Sequence, residues 1–212
     1  MTATDIDPEE FQRLTGVSRE TMDRLVIYAD LLVRWQPAIN LIGPATIGQI
    51  WRRHFLDSAQ LARYIDKGTT LLDIGSGAGF PGLVLAIMGI ARVDLVERDA
   101  RKCVFLAEVA RLTSAPVEIH RKDARHVKRG QVDVITARGC APLGALLEIS
   151  KPFIADTTYC VFPKGKAYEE ELTIASKSWN MNVETFKSVT DPSGVILRLR
   201  NIVYSRKNGP RI

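Results

Sequence analysis

The sequence predicts an α/β fold, a mostly parallel seven-stranded sheet with a helical N-terminal extension. Three observations carry this prediction. From Thr69 onward, short apolar runs alternate with helical stretches; a glycine-rich turn joins the first run to the first of those helices; and the residues before Thr69 show only helical periodicity. In order, Ser18 reads as an N-cap, and Met22, Leu25, Val26, Ala29, Leu32 and Val33 recur at helical spacing through 18–35, which Pro37 closes. A second helical stretch covers 46–65. Strands follow at 70–74, 91–96, 116–120, 132–137, 158–163 and 195–203, with helices near 82–88, 99–111, 142–150 and 167–179. Strand alternating with helix implies parallel pairing through right-handed crossovers. Asp191-Pro192-Ser193-Gly194 is too short a turn to hold a helix, so a seventh strand at 182–186 would pair antiparallel with 195–203 at a sheet edge. The division expected is 1–67 as a helical cap and 68–212 as the sheet domain, forming one compact unit.

Composition narrows the function classes. The chain has 212 residues with 29 basic and 24 acidic side chains, a net charge of +5, which permits nucleic acid as a partner without requiring it. No apolar run approaches the roughly 20 residues that cross a bilayer, and the start, with Asp5, Asp7, Glu9 and Glu10, lacks the basic and apolar regions of a secretory signal. A membrane or secreted protein is therefore not expected; a cytoplasmic monomer is. Cys103, Cys140 and Cys160 show no CxxC spacing, so neither a disulfide framework nor a zinc site is predicted. His120 and His126 lack metal-ligand spacing, and no metal is expected.

The sharpest local feature is Leu71-Leu72-Asp73-Ile74-Gly75-Ser76-Gly77-Ala78-Gly79-Phe80-Pro81-Gly82, a strand entering glycines and then a helix that could start at Pro81. Glycines let the backbone turn tightly and approach a ligand where a side chain would block it. Strand 91–96 ends at Glu97, where a carboxylate can accept from both hydroxyls of a ribose. Two cofactors compete for this site. Gly77, Gly79 and Gly82 satisfy GxGxxG, the dinucleotide fingerprint of an oxidoreductase. Taken from the turn glycine Gly75, the pattern instead reads Asp-x-Gly-x-Gly-x-Gly, which resembles the S-adenosylmethionine loop of class I, Rossmann-like methyltransferases. In that resemblance Asp73 helps position the loop and the cofactor's cationic methionine end.

The likeness extends further. Asn40-Leu41-Ile42, Arg53-His54-Phe55-Leu56-Asp57-Ser58, the glycine loop, Glu97 through Phe105 and Leu106, Lys122-Asp123-Ala124-Arg125, Ala137-Arg138-Gly139 and Lys164-Gly165 together resemble the glucose-inhibited division protein B family, over roughly residues 22–203. The order of these motifs is more specific than any one of them. The resemblance implies a class I methyltransferase domain that moves a methyl group from S-adenosylmethionine to N7 of a guanine in 16S ribosomal RNA, free or in the small subunit. It implies cofactor contacts at Gly75, Phe80, Ala124, Arg125 and Arg138, beside the positions read from the loop itself, Asp73, Gly77 and Glu97. One departure stands out: the family usually reads Ser-Arg-Ala-Phe where this chain has Ala137-Arg138-Gly139-Cys140, so the arginine is kept and the aromatic is absent.

Arg138 could anchor a cofactor carboxylate, an RNA phosphate or the base itself; no catalytic residue is assigned beyond it. His54 reads as a solvated or capped histidine, and Trp35, Trp51 and Phe55 as helix packing. Residues 121–129 and the tail from Arg198 (Arg200, Arg206, Lys207, Arg211) are the most basic stretches, with Arg34, Arg52, Arg53 and Arg63 as a possible extension of an RNA surface. A non-catalytic RNA-binding module remains the third reading.

Overall fold

The computed structural model describes residues 5–205. Asp7 caps α1 (Pro8–Thr15) by accepting the Glu10 N–H, and Gly16 ends it in the left-handed region at φ 68°. This helix is absent from the pattern reading, although Asp-Pro-Glu-Glu followed by glycine carries its start and stop signals. Ser18 caps α2 (Arg19–Trp35) through the Thr21 N–H. Its buried stripe is Met22, Leu25, Tyr28, Ala29 and Leu32, whereas Val33 lies outside it and is exposed.

The stretch expected as one helix at 46–65 is helical but broken. A 3-10 turn (Pro44–Gln49) leads to a π segment (Trp51–Leu56), a single α turn α3 (Asp57–Ala59) and a second 3-10 turn (Gln60–Tyr64). Pro44 begins it, and the Arg52 N–H is diverted to the Asp5 carboxylate at 2.8 Å. π segments recur at functional sites because the wider turn re-aims side chains.

The sheet then alternates as expected: β1 (Thr69–Ile74), α4 (Gly82–Ile87), β2 (Ala91–Glu97), α5 (Ala100–Thr113), β3 (Val117–Arg121), β4 (Val134–Thr136), α6 (Leu143–Ser150), β5 (Tyr159–Lys164), α7 (Tyr168–Ala175), β6 (Trp179–Lys187) and β7 (Val195–Tyr204). Its seven strands run in the order β3-β2-β1-β4-β5-β7-β6, with β7 antiparallel to both neighbours. Gly82, not Pro81, is the first residue of α4. Alternate side chains serve opposite faces. Leu71, Val93, Leu95, Val134 and Val161 join a cluster with α4, α5 and the N-terminal helices, while Leu72, Ile74, Val96, Ile135 and Phe162 pack with residues of α6 and α7. The N-terminal segment therefore shares its core with one face of the sheet. No helix among the described residues is long and apolar enough to cross a membrane.

Candidate active site

The glycine loop is shaped from below and from the side. Gly75, Gly77 and Gly79 have φ of 69°, 57° and 101°, a region in which a Cβ is strained. Beneath the loop Asp73 is fully buried, accepting from Thr136 Oγ1 at 2.8 Å and from the Gly82 N–H at 3.2 Å. A Cβ on Gly82 would stand 2.8 Å from Asp73 Cβ and 2.7 Å from Leu95 Cδ2, so glycine is what lets α4 approach the strands this closely. From the side, Tyr28 of α2 donates its hydroxyl to the Ala78 carbonyl and stacks on Phe80, with centroids 5.3 Å apart.

A cavity of about 580 Å³ opens beyond the carboxyl ends of β1, β2 and β4. Of the residues expected at a cofactor site, Gly75, Gly77, Phe80, Glu97, Ala124 and Arg138 line it. Asp73 and Arg125 do not: Asp73 lies under the loop, and Arg125 turns outward, paired bidentately with Asp123 at 2.9 and 2.7 Å. Glu97 is only 8% exposed and joins two segments, accepting the Gly77 N–H at 2.9 Å and the Asp99 N–H at 2.8 Å. A carboxylate has further lone pairs beyond those two. It therefore retains acceptor capacity for ribose hydroxyls beside a backbone with no Cβ in the way, and this donor set fits S-adenosylmethionine.

Cavity-lining residues that pattern reading missed are Leu41, Ile42 and, above all, His54. Far from being solvated, His54 is 9% exposed, with Nε2 2.9 Å from Thr46 Oγ1 and Nδ1 2.8 Å from Arg138 Nη2. Its place in an Arg-His motif was the available signal. Arg138 Nη1 also reaches the Arg53 carbonyl at 2.9 Å and Asp57 Oδ2 at 3.1 Å, and the guanidinium lies over the Phe80 ring at 5.0 Å. The rim carries Arg98, Lys102 and Lys122. Trp51 and Phe55 are buried in the core, as packing residues should be.

The two basic stretches divide. Arg129 pairs with Asp94 at 2.9 Å, next to His120 at 2.6 Å from the same carboxylate, and Arg198 and Arg200 cover Tyr159. Arg121, Lys122 and Lys128 are exposed. Arg206, Lys207 and Arg211 lie outside the described residues.

Two buried titrating groups oppose one another. Burial raises the Asp73 carboxyl from 3.8 to about 6, against the hydrogen bonds from Thr136 and Gly82. Burial, then the Arg138 and Arg53 charges, lower His54 from 6.5 to about 3. Between pH 3.8 and 6 the folded chain holds more protons at Asp73 than the unfolded chain, so that contribution is present in acid and lost as pH rises to 6. At His54 the unfolded chain holds more, and stability is lost as pH falls from 6.5 towards 3. The slopes, each at most about 1.4 kcal/mol per pH unit, offset across their shared window. Asp73→Asn is expected to leave the His54 slope uncompensated, so urea denaturation at several pH values should show the variant losing stability in acid more steeply than the parent chain. Equal acid slopes would remove this account.

Comparison with known proteins follows the same line. The family described as "rRNA small subunit methyltransferase G" (GidB) matches residues 21–198. Ribosomal RNA small subunit methyltransferase G of Paramagnetospirillum magneticum is 51% identical over 200 residues, covering 94% of this chain and 98% of that protein. The Rhodospirillum centenum protein of the same name is 51% identical over 194 residues, covering 91% and 90%. Among solved structures, the TehB-like SAM-dependent methyltransferase of Corynebacterium glutamicum superposes with a TM-score of 0.58 at 15% identity, over 83% of this chain and 98% of that one. M. jannaschii TYW2 in complex with AdoMet gives 0.54 at 18% identity, over 68% and 73%. Such low identities speak for the fold alone.

Proposed function

Because the chain belongs to the GidB family, rRNA small subunit methyltransferase G, and is thus an S-adenosylmethionine-dependent methyltransferase with an RNA substrate, we propose that its target is N7 of a specific guanine in 16S ribosomal RNA. The observation that supports the cofactor half of the reading is the Glu97 carboxylate bound to the Gly77 N–H at the end of β2, where it closes one wall of the cavity around the glycine loop. Gly75, Gly77, Phe80, Glu97, Ala124 and Arg138 would hold the cofactor, with Asp73 shaping the loop from beneath; Arg125, turned outward onto Asp123, is not assigned to it. When bound, S-adenosylmethionine supplies an electrophilic methyl group on a sulfonium.

Guanine N7 presents an in-plane lone pair and no proton, so no residue has to act as a base. Catalysis then rests on alignment, worth up to about 7–11 kcal/mol of the barrier. The charge pattern of the site supports this chemistry. The product carries positive charge on the purine; His54 is held neutral by burial and by its arginine neighbours, and Arg138 is balanced by Asp57. We assign Arg138 to anchoring an oxyanion, not to N7. The chain is taken to act as a monomer in the cytoplasm, with 1–67 and 68–212 as one working unit, on 16S RNA or the assembled small subunit.

Mapping N7-methylguanine in 16S rRNA from cells with and without this gene tests the reading. One site should lose its methyl group, and an unchanged map would end the proposal. The cations at the rim, Arg98 and Lys122 exposed and Lys102 half-buried, add a second expectation. Phosphate contacts weaken with salt by about 0.7 log units per decade each, so three contacts imply about a 20-fold loss of RNA affinity between roughly 50 and 200 mM salt. Filter binding should show that loss, while S-adenosylhomocysteine affinity in calorimetry stays flat; equal insensitivity of both would argue against an RNA face here.

A further inference from the structure

We propose that His54 is a positioning residue whose bare Nδ1 holds the Arg138 guanidinium at the mouth of the cavity, with the ring proton fixed on Nε2. The argument starts from Arg138, which can only donate. Its 2.8 Å contact with Nδ1 therefore needs a lone pair on that nitrogen. A neutral ring then carries its proton on Nε2, which donates to Thr46 Oγ1 at 2.9 Å, and Thr46 passes its own hydrogen to the Gly43 carbonyl at 2.7 Å. Each link runs in one direction, so the tautomer is dictated by its neighbours.

On the far side, Asp57 Oδ2 accepts from Arg138 while Asp57 Oδ1 takes the Thr190 hydroxyl at 2.6 Å. The clamp thus joins the π segment, the end of β4 and the β6–β7 turn. It uses Nη1 twice and Nη2 once, and leaves Nε–H and one Nη2 hydrogen for an oxyanion, either the carboxylate of the cofactor's methionine end or an RNA phosphate. The groups facing His54 are Arg53 from its own segment, Arg138 with its counter-ion Asp57, and the Phe80 ring at 5.1 Å; Asp191 of the β6–β7 turn acts on Arg53. A protonated ring would set N–H against N–H at Arg138 and open the clamp. The low protonation tendency of His54, down to about 3, agrees with this geometry.

The activity arm of the test rests on the methyltransferase reading; the spectroscopic arm does not. Nitrogen NMR of the full-length protein should show His54 with unprotonated Nδ1 and protonated Nε2 at neutral pH. An imidazolium, or the opposite tautomer, would overturn the proposal. In the activity arm two variants separate positioning from packing. His54→Phe keeps the ring against Phe80 and removes the acceptor; His54→Asn loses the ring and keeps an acceptor. We expect kcat/KM for RNA methylation to fall about 30-fold in His54→Phe, the loss of one hydrogen bond to a charged group, and to recover largely in His54→Asn. A merely structural histidine would give the reverse order, with Phe the better substitute.

Calorimetry with S-adenosylhomocysteine and filter binding with a 16S fragment identify the oxyanion: a carboxylate if the first affinity falls in His54→Phe, a phosphate if the second does. Both affinities unchanged would overturn the role. Thr46→Val, which keeps the histidine and its Arg138 partner but removes the Nε2 acceptor, should leave Nδ1 unprotonated and lower kcat/KM about 5-fold, within the range of a neutral hydrogen bond; a ring protonated on Nδ1 there would count against the clamp. If the parent chain methylates no RNA, the function fails while the ring spectrum still decides the clamp.

Discussion

Glu97→Ala is expected to weaken S-adenosylhomocysteine binding by at least about 100-fold in titration calorimetry. The carboxylate is asked to do two things at once. It offers remaining lone pairs to ribose hydroxyls, and hydrogen bonds to a charged group are worth about 1.5–3 kcal/mol each. It also satisfies the Gly77 and Asp99 N–H groups in a setting where Glu97 is 8% exposed. Removing it leaves those donors to find water and lets the loop relax, so lost contacts and lost preorganisation add. Two such hydrogen bonds to the ribose make about 3–6 kcal/mol, and each 1.4 kcal/mol is about tenfold. Glu97→Gln should lie between, because its amide nitrogen would face one of the backbone donors that the second oxygen now serves. Affinity within about threefold of the parent for Glu97→Ala would mean that the ribose is held elsewhere.

The second large effect falls on folding itself. Gly79→Ala should cost about 2–6 kcal/mol, read as a shift in urea midpoint at unchanged slope. Two terms contribute. An L side chain at φ 101° is strained by about 1–3 kcal/mol. Its Cβ would stand 2.7 Å from Tyr28 Oη, 2.9 Å from Leu83 Cβ and 3.0 Å from Leu106 Cδ2, an overpacked site of the kind that costs about 1–3 kcal/mol more. Gly77→Ala supplies the control, since its Cβ would meet nothing closer than the Gly75 carbonyl at 3.8 Å. It should lose only about 1–2 kcal/mol, from backbone strain alone. Equal losses at the two positions would show that backbone strain, not the contact with α2, dominates.

The contrast between what the sequence discloses and what it conceals follows the range of each interaction. Asp73, the glycines and Glu97 are legible because their demands are local: a strand end, a turn with positive φ, and the end of the neighbouring strand. The alternation of Leu71 and Leu72 between opposite faces follows from strand geometry and needs no partner to be known. His54 is different. Its partner is 84 positions away, and which side of the helical stretch meets β4 depends on a π turn whose first residues are tied to Asp5 through the Arg52 N–H. Among neighbours Arg52 and Arg53 it looks like one more polar residue. Arg125 errs the other way, for its motif is intact while Asp123, two residues earlier, holds the side chain against itself. Arg198 and Arg200 look like surface charge in the sequence, yet in β7 they alternate with buried leucines and lie over Tyr159.

Tyr28 reaches from the N-terminal helix to the Ala78 carbonyl, within the turn that would cradle the methyl donor. The donor pocket is therefore not a portable module. A chimera that exchanged the first helices for another recognition element would also remove the brace that sets the turn, and the graft would have to carry its own tyrosine at the same height to keep both functions on one chain.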